Sequence, residues 1–92
     1  MPSAFRALMW RRRYTQAIAL NQLRRTDEAA ALLRLNIARH PRHRDSLMAL
    51  ATMERDRGNL AEAERLAAEA AALQPSDREA AALLMQLRAL RQ

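Results

Sequence analysis

The chain has 92 residues, enough for one small domain, and its formal net charge is +6. Its 21 alanines and 15 leucines are strong helix formers, whereas the single glycine and the absence of valine argue against a β fold, which needs β-branched residues and glycine-containing turns. The absence of cysteine excludes disulfides, thiolate metal sites and a cysteine nucleophile, and no apolar run approaches the roughly 20 residues that span a bilayer.

The first half of the sequence predicts two helices. Residues 14–23 form the first, and residues 3–13 are also compatible with a helix, so one long first helix is the alternative. Thr26 or its neighbour is expected to cap the second helix, because a threonine hydroxyl can accept a hydrogen bond from the first helical amides. The second helix ends before Pro41 and turns four apolar residues inward: Ala29, Leu32, Leu33 and Ile37.

The second half predicts two helices followed by a terminal one. Residues 45–57 place apolar side chains at helical spacing, and Gly58 then offers a left-handed stop. Asn59 is expected to cap the next helix, residues 60–73, which ends before Pro75.

The terminal helix begins at a capping-box pattern, residues 76–79, and runs from about Asp77 to Arg91. It is apolar nearly all round, although the last helix of a domain normally has a polar outer face. One hypothesis is therefore a homodimer formed through Leu83, Leu87 and Leu90. A second apolar cluster, at the other end of the chain, consists of Phe5, Leu8, Met9 and Trp10.

Similar residues recur along the sequence at a fixed spacing, which equals the number of positions from Pro41 to Pro75. We call this spacing the repeat period, and it also relates the pairs Glu28-Ala29 and Glu62-Ala63. Other aligned pairs are Ala17 with Ala51, Leu32 with Leu66, Ala38 with Ala72, Arg44 with Arg78, and Leu50 with Leu84. A period of this length indicates repeated supersecondary units that share a core with their neighbours.

These features resemble the tetratricopeptide repeat family, whose unit is a helix-turn-helix of about 34 residues. Residues 44–77 match the family pattern of large, small and proline positions at Leu47, Leu50, Ala51, Ala63, Ala70 and Pro75. Residues 10–43 match it at Ala17, Ala29, Leu33 and Pro41. Residues 78–91 resemble the first helix of a third repeat.

Some residues depart from the family pattern. Glu54 stands where the family has tyrosine, and Ala67 where it has a large aromatic residue, so the core is expected to be thinner there. In the first repeat the departures are Arg13, Gln16, Arg24 and Asn36.

The resemblance implies an all-α fold in which antiparallel helix-turn-helix repeats stack as a short right-handed α-solenoid. Residues 1–92 would form a single domain. Its parts would be residues 1–9 as an N-terminal helix extension, 10–43 as a degenerate first repeat, 44–77 as the second repeat and 78–92 as a third helix or cap.

Members of this family bind proteins on a concave face formed by the first helix of each repeat. The resemblance therefore implies an interaction scaffold that binds a peptide, a helix or a partner subunit. Carried over to this sequence, the concave positions are Arg11, Tyr14, Ile18, Asn21, Met48, Thr52, Arg55 and Gln86. Such a mixture of aromatic, aliphatic and arginine side chains suits an extended peptide or a helix.

The distribution of arginine gives another hypothesis. Residues 1–44 contain ten arginines and two acidic residues, whereas residues 45–92 contain six arginines and eight acidic residues. A basic patch lies between Trp10 and Tyr14 and consists of Arg11, Arg12 and Arg13. Arginine beside aromatic rings suits nucleic acid or an anionic surface. A solvated helix face is the better explanation of three arginines, so nucleic acid is the less favoured partner.

No constellation of residues supports catalysis, and we predict no enzyme, no metal and no cofactor. His40 and His43 are close in sequence, but no third metal ligand is evident beside them. The single glycine argues against a glycine-rich phosphate loop. Exclusive use of arginine over lysine is typical of a GC-rich, bacterial genome. We expect a cytoplasmic protein, with the periplasm or membership of a larger protein as alternatives.

Overall fold

A computed structural model describes the backbone of residues 3–92 and the side chains from Leu8 onward. Five helices follow one another: α1 (Ser3–Gln22), α2 (Thr26–Arg39), α3 (Arg44–Asp56), α4 (Leu60–Leu73) and α5 (Arg78–Leu90). Over these residues there is no strand, so the protein is all-α as its composition predicts. None of the described helices is both long enough and apolar enough to cross a membrane.

The first helix is continuous. The segments 3–13 and 14–22 belong to one helix, so the alternative of a single long first helix is the one the structure has. Residues 1 and 2 of the expected extension, and the Phe5 side chain of the N-terminal apolar cluster, lie outside the described part of the chain.

The chain forms two compact units, Met1–Ser46 and Leu47–Gln92, and the boundary falls near the start of α3. In the first unit α1 packs against α2, and the completely buried residues are Ala17, Ala29, Ala30, Leu33, Asn36 and Ser46. In the second unit α4 packs against α5, and the residues buried from these helices are Ala63, Leu66, Ala67, Ala70, Ala80, Leu83 and Leu87. Small side chains let paired helices approach closely.

The backbone repeats with the period found in the sequence. A shift by one repeat period moves the bounds of α2 onto those of α4, and the end of α1 onto the end of α3. The turn hydrogen bonds move with them. Arg25 N donates to Leu20 O at 2.9 Å in the first unit, and Asn59 N donates to Glu54 O at 2.8 Å in the second. The two turns are therefore built in the same way.

Both turns contain a residue in the left-handed region. Gly58 has φ +87°, which confirms it as the left-handed stop after α3. Arg24 occupies the matching position with φ +63°, the single non-glycine residue of positive φ in the described chain. A side chain in this region costs roughly 1–2 kcal/mol, because its Cβ approaches the following carbonyl oxygen. The first turn therefore carries a conformational free-energy cost at Arg24, which the second turn does not have because its residue there is glycine.

Two predicted helix caps do not form. α2 begins at Thr26, the preceding Arg25 makes no side-chain cap, and the Thr26 hydroxyl donates to Asn21 Oδ1 at 3.1 Å. Asn59 precedes α4, yet its side chain makes no cap hydrogen bond; its Nδ2 donates instead to Glu54 Oε2 at 2.8 Å. In both cases the polar side chain donates a hydrogen bond to a residue of the preceding helix instead of capping the helix that follows.

The cap of α5 lies one residue later than the capping-box pattern placed it. Asp77, not Ser76, is the N-cap, and its carboxylate accepts a hydrogen bond from Ala80 N at 3.1 Å. The Ser76 hydroxyl instead accepts one from Gln74 Nε2 at 2.9 Å. A negative charge is favourable at this end because the helix dipole is positive there.

Glu54 is a buried carboxylate, with 2% of its surface exposed. Arg57 Nη1 lies 3.3 Å from one carboxylate oxygen, and Asn59 Nδ2 lies 2.8 Å from the other. These partners offset the cost of removing the charge from water. A hydrogen-bonded ion pair thus ties α3 to the turn after it.

We predict that Arg24→Gly and Gly58→Ala change stability in opposite directions. Arg24→Gly relieves the strain at φ +63° and should raise the free energy of unfolding by about 0.5–1 kcal/mol. Gly58→Ala should lower it by about 1 kcal/mol through backbone strain alone, since an added Cβ would meet no atom within 4 Å. Urea denaturation measures both changes.

Ala31→Gly is the matched control, because Ala31 is exposed within α2, where glycine lowers stability by about 1 kcal/mol. If Arg24→Gly destabilises the protein as much as Ala31→Gly does, the strain assigned to Arg24 is wrong.

Candidate binding site around Trp10 and His43

The residues predicted on the first helix do lie in a row. Arg11, Tyr14, Ile18 and Asn21 follow the spacing that places side chains on one face of a helix. Arg11 and Asn21 are exposed, whereas Tyr14 and Ile18 are half-buried. We call these four residues the α1 row.

In the second unit only part of the predicted face is accessible. Arg55 Nη1 donates to Gln86 Oε1 at 3.0 Å, so these two residues are brought together on α3 and α5. Thr52 is half-buried and its hydroxyl donates to the Met48 carbonyl at 2.9 Å. Met48 itself is only 8% exposed, so its prediction as a surface contact is wrong. Its flexible, apolar side chain belongs to the broad buried stripe of α3.

The apolar surface proposed for α5 is also corrected. Leu83 is 8% exposed and Leu87 is completely buried, because α5 packs against α4. Leu90 is 53% exposed and Met85 is 70% exposed, so these two are the large apolar side chains that α5 leaves exposed. An oligomer surface centred on Leu83 and Leu87 is therefore not available.

An aromatic–histidine cluster, which the sequence did not predict, joins α1 to the loop before α3. It consists of Trp10, Tyr14, His40 and His43. The ring centroids of Trp10 and His43 are 4.3 Å apart, and those of Trp10 and His40 are 6.2 Å apart. The Tyr14 ring meets His43 edge-on at 5.5 Å. Tilted and edge-on arrangements of this kind are the favourable ones for aromatic rings.

One buried and two partly buried hydrogen bonds hold this cluster in place. Asn36 Nδ2 donates to the Trp10 carbonyl at 3.1 Å and to Ser46 Oγ at 3.0 Å. Ser46 Oγ lies 2.5 Å from His43 Nδ1. In the neutral tautomer with the imidazole proton on Nε2, the Ser46 hydroxyl donates to His43 Nδ1 while its oxygen accepts from Asn36. We call Asn36, Ser46 and His43 the polar bridge.

The second unit lacks this polar bridge. At the positions one repeat period later it has Ala70 and Ala80, both completely buried. Asn36 and Ser46 are completely buried too, and Asn36 Oδ1 has no hydrogen-bond partner in the described protein. Asn36 therefore has a structural role, because its amide connects α2 to the α1 backbone and to the start of α3.

The environment of His43 favours its neutral form. Burial lowers the pKa of His43 below its ordinary value of 6.5, and the positive charge of Arg11 and the nearby His40 act in the same direction. The carboxylate of Asp45 opposes them. Donation from the Ser46 hydroxyl to Nδ1 is compatible with this neutral form.

Two cavities flank the contact between Trp10 and His43. The helix-side cavity, about 540 Å³, is lined by Trp10, Arg11, Tyr14, Thr15, His43, Arg44 and Asp45. The loop-side cavity, about 500 Å³, is lined by Trp10, Arg39, His40, Pro41, Arg42 and His43. Both fall within the range of about 300–1,000 Å³ common for ligand sites.

Only two of the three arginines in the predicted basic patch line a common cavity. Consecutive helical residues point in different directions, and Arg11 lies over the Trp10 ring, 5.3 Å from its centroid, in a cation–π contact. Arg12 is exposed and Arg13 is half-buried. Arg11 and Arg12 do share the lining of a further cavity of about 550 Å³ along α1.

Metal and nucleophile candidates near the cluster are limited. Among the side chains described, no three from His, Cys, Asp and Glu converge on a point where they could hold a metal ion. Ser46 has a histidine partner but is completely buried, so its hydroxyl is not accessible to a substrate. The arrangement offers binding surface and structural hydrogen bonds.

No known protein-family model matches the chain, and no curated protein sequence matches it significantly.

We predict that Asn36 and Ser46 are energetically coupled. Each single substitution to alanine should lower the free energy of unfolding by about 1 kcal/mol, and the double variant should lose less than the sum by about 0.5–1.5 kcal/mol. The control pair is Gln74→Ala and Ser76→Ala, which removes an exposed hydrogen bond of 2.9 Å and should be additive. Additivity within about 0.3 kcal/mol for Asn36 and Ser46 would contradict a buried bridge.

We further predict that His43 makes stability depend on pH. Its folded pKa lies below the ordinary 6.5, so the unfolded chain takes up the proton more readily. The stabilisation from neutral His43 is therefore complete above pH 6.5 and is lost as the pH falls through the lowered folded pKa.

The test compares urea midpoints at pH values on either side of this range. His43→Asn keeps an acceptor for the Ser46 hydroxyl without a titrating ring, and should flatten the pH dependence relative to the unchanged protein. His40→Asn is the comparison variant: it removes one contribution to the lowered pKa of His43 but keeps the titrating ring and its contact with Ser46, so it should weaken the pH dependence less than His43→Asn does. An unchanged pH dependence in His43→Asn would refute the prediction.

Proposed function

We propose that this protein is a helical-repeat scaffold of the tetratricopeptide type, which binds another protein through an exposed helical face. The repeated backbone supports the proposal, because helix bounds and turn hydrogen bonds of the first unit recur one repeat period later in the second. The resemblance further implies a right-handed solenoid with a shared concave face. A repeat fold by itself does not define a function, so the binding role has to be argued from surfaces.

The observation that carries the proposal is the α1 row beside the helix-side cavity. Tyr14 and Ile18 are half-buried on a rigid helix, with exposed Arg11 and Asn21 at the two ends of the row. An aromatic anchor held by packing loses little conformational freedom on binding. Apolar anchors surrounded by polar residues are typical of surfaces that bind a peptide or a helix.

Other roles have less support around this site. A nucleic-acid base needs a free ring face for stacking, whereas Trp10 already contacts Arg11 at 5.3 Å and His43 at 4.3 Å. Hydrolysis needs an accessible nucleophile, and Ser46 is buried. Protein binding uses the exposed residues as they stand.

The experiment is selection from a randomised peptide library displayed on phage, with the full chain as bait. Enriched peptides are synthesised, and their binding is measured by fluorescence anisotropy. We expect Tyr14→Ala to weaken binding about tenfold or more, since it removes a central aromatic anchor.

Leu35→Ala is the matched control, because Leu35 is an exposed apolar residue of α2, 42% accessible, outside the α1 row. It should leave binding unchanged, and circular dichroism should show that both variants remain helical. Failure to enrich any peptide, or equal binding to Tyr14→Ala and the unchanged protein, would refute the proposed role of the α1 row.

A further inference from the structure

The loop-side cavity has a preformed apolar wall. Its lining includes the rings of Trp10, His40, His43 and Pro41. Trp10 is fixed from two directions, by the ring contact with His43 at 4.3 Å and by the Asn36 hydrogen bond to its carbonyl at 3.1 Å. A cavity whose wall is already ordered binds a side chain without paying for the ordering of that wall.

The charged side chains that line this cavity are two exposed arginines. Arg39 lies in the last turn of α2, and Arg42 lies in the loop that follows. Neither forms an ion pair within the described residues, and the lining contains no carboxylate. Elsewhere in the first unit, Glu28 lies 2.5 Å from Arg25, and Asp45 lies 2.9 Å from Arg44. The cavity therefore combines an apolar wall with positive charge that has no internal counter-ion.

We propose that the loop-side cavity binds an acidic protein segment, which inserts an apolar side chain against Trp10 and pairs its carboxylates with Arg39 and Arg42. This inference rests on the proposed function, because it specifies the chemistry of the partner. It places the partner's anchor outside the α1 row. Arginine pairs with carboxylates through two parallel hydrogen bonds, so the site selects for acidic residues beside the anchor.

Two other anionic partners fit the geometry less well. A membrane surface binds apolar side chains that project outward, whereas the apolar groups of this site line a concavity. A single-stranded nucleic acid needs a whole open aromatic face for stacking, whereas Trp10 contacts Arg11, His40 and His43 and is half-buried, which leaves only part of the ring to line the cavity. An extended acidic peptide can place one side chain in the cavity and its charges at the rim.

The probe is a fluorescein-labelled peptide with a central Leu-Phe pair flanked on both sides by Asp and Glu residues. One matched peptide has Lys in place of every acidic residue, and another has Ser in place of Leu and Phe. We expect both matched peptides to bind at least about tenfold more weakly than the acidic apolar one. Since Trp10 is the single tryptophan of the chain, its fluorescence reports occupation of the cavity directly.

Variants of the full chain locate the binding. Arg42→Gln and Arg39→Gln should each weaken binding of the acidic peptide about tenfold and reduce its salt dependence. Arg12→Gln is the matched control, because it removes one exposed arginine of α1 that does not line this cavity. Equal weakening by Arg12→Gln would mean general attraction to a basic protein and would overturn the proposal.

The remaining outcomes separate this inference from the proposed function. Tyr14-dependent binding of selected neutral peptides, without Arg42-dependent binding of the acidic peptide, refutes the inference and leaves the α1 row as the binding surface. Arg42-dependent binding of the acidic peptide supports the inference, even if Tyr14→Ala has no effect. Tighter Arg42-dependent binding of oligouridylate, or of phosphatidylserine vesicles, would assign the cavity to a different anion and overturn the proposal.

Discussion

Close packing of consecutive helices through alanine is the constraint on which both units depend. The alanines at these contacts are completely buried: Ala17, Ala29, Ala30, Ala63, Ala67, Ala70 and Ala80. Alanine brings helix backbones together without loss of side-chain entropy, but it buries little apolar area. The larger gains come from buried leucines such as Leu33, Leu66 and Leu87. A core of this kind gains little free energy from the burial of apolar surface, so each polar group inside it has a measurable effect on the free energy of unfolding.

The polar bridge depends on this close packing and holds the residues of the candidate site in place. Small side chains bring α2 close enough to α1 for the Asn36 amide to reach the Trp10 carbonyl at 3.1 Å. The same amide reaches Ser46, and Ser46 in turn fixes the imidazole of His43. Both cavities share the contact between Trp10 and His43, so their shape depends on hydrogen bonds buried behind them.

Sequence reasoning predicted the features that depend on local chemistry. Proline, glycine and apolar periodicity placed the five helices, and the repeat period anticipated the repeated turns. The predictions from sequence were wrong where a side chain has two possible hydrogen-bond partners. Asn59, for example, donates to Glu54 instead of capping α4. Sequence reasoning also missed contacts between distant segments, such as Trp10 with His43. The sequence did contain one signal of this contact. Asn36 stands where the second repeat has Ala70, and an asparagine buried at such a position needs hydrogen-bond partners.

The difference between the two units also affects how the chain can fold. Repeated sequences risk pairing a helix with the wrong copy of its partner. If α2 packed against α5 in the way that α4 does, Ala80 would take the place of Ser46, and Asn36 would lose its buried hydrogen bond to the Ser46 hydroxyl. An unsatisfied buried amide costs about 1–3 kcal/mol, a large penalty for so small a core. Asn36 thus marks the first repeat as distinct from the second, and its hydrogen bonds favour the correct pairing of helices over a mispaired one.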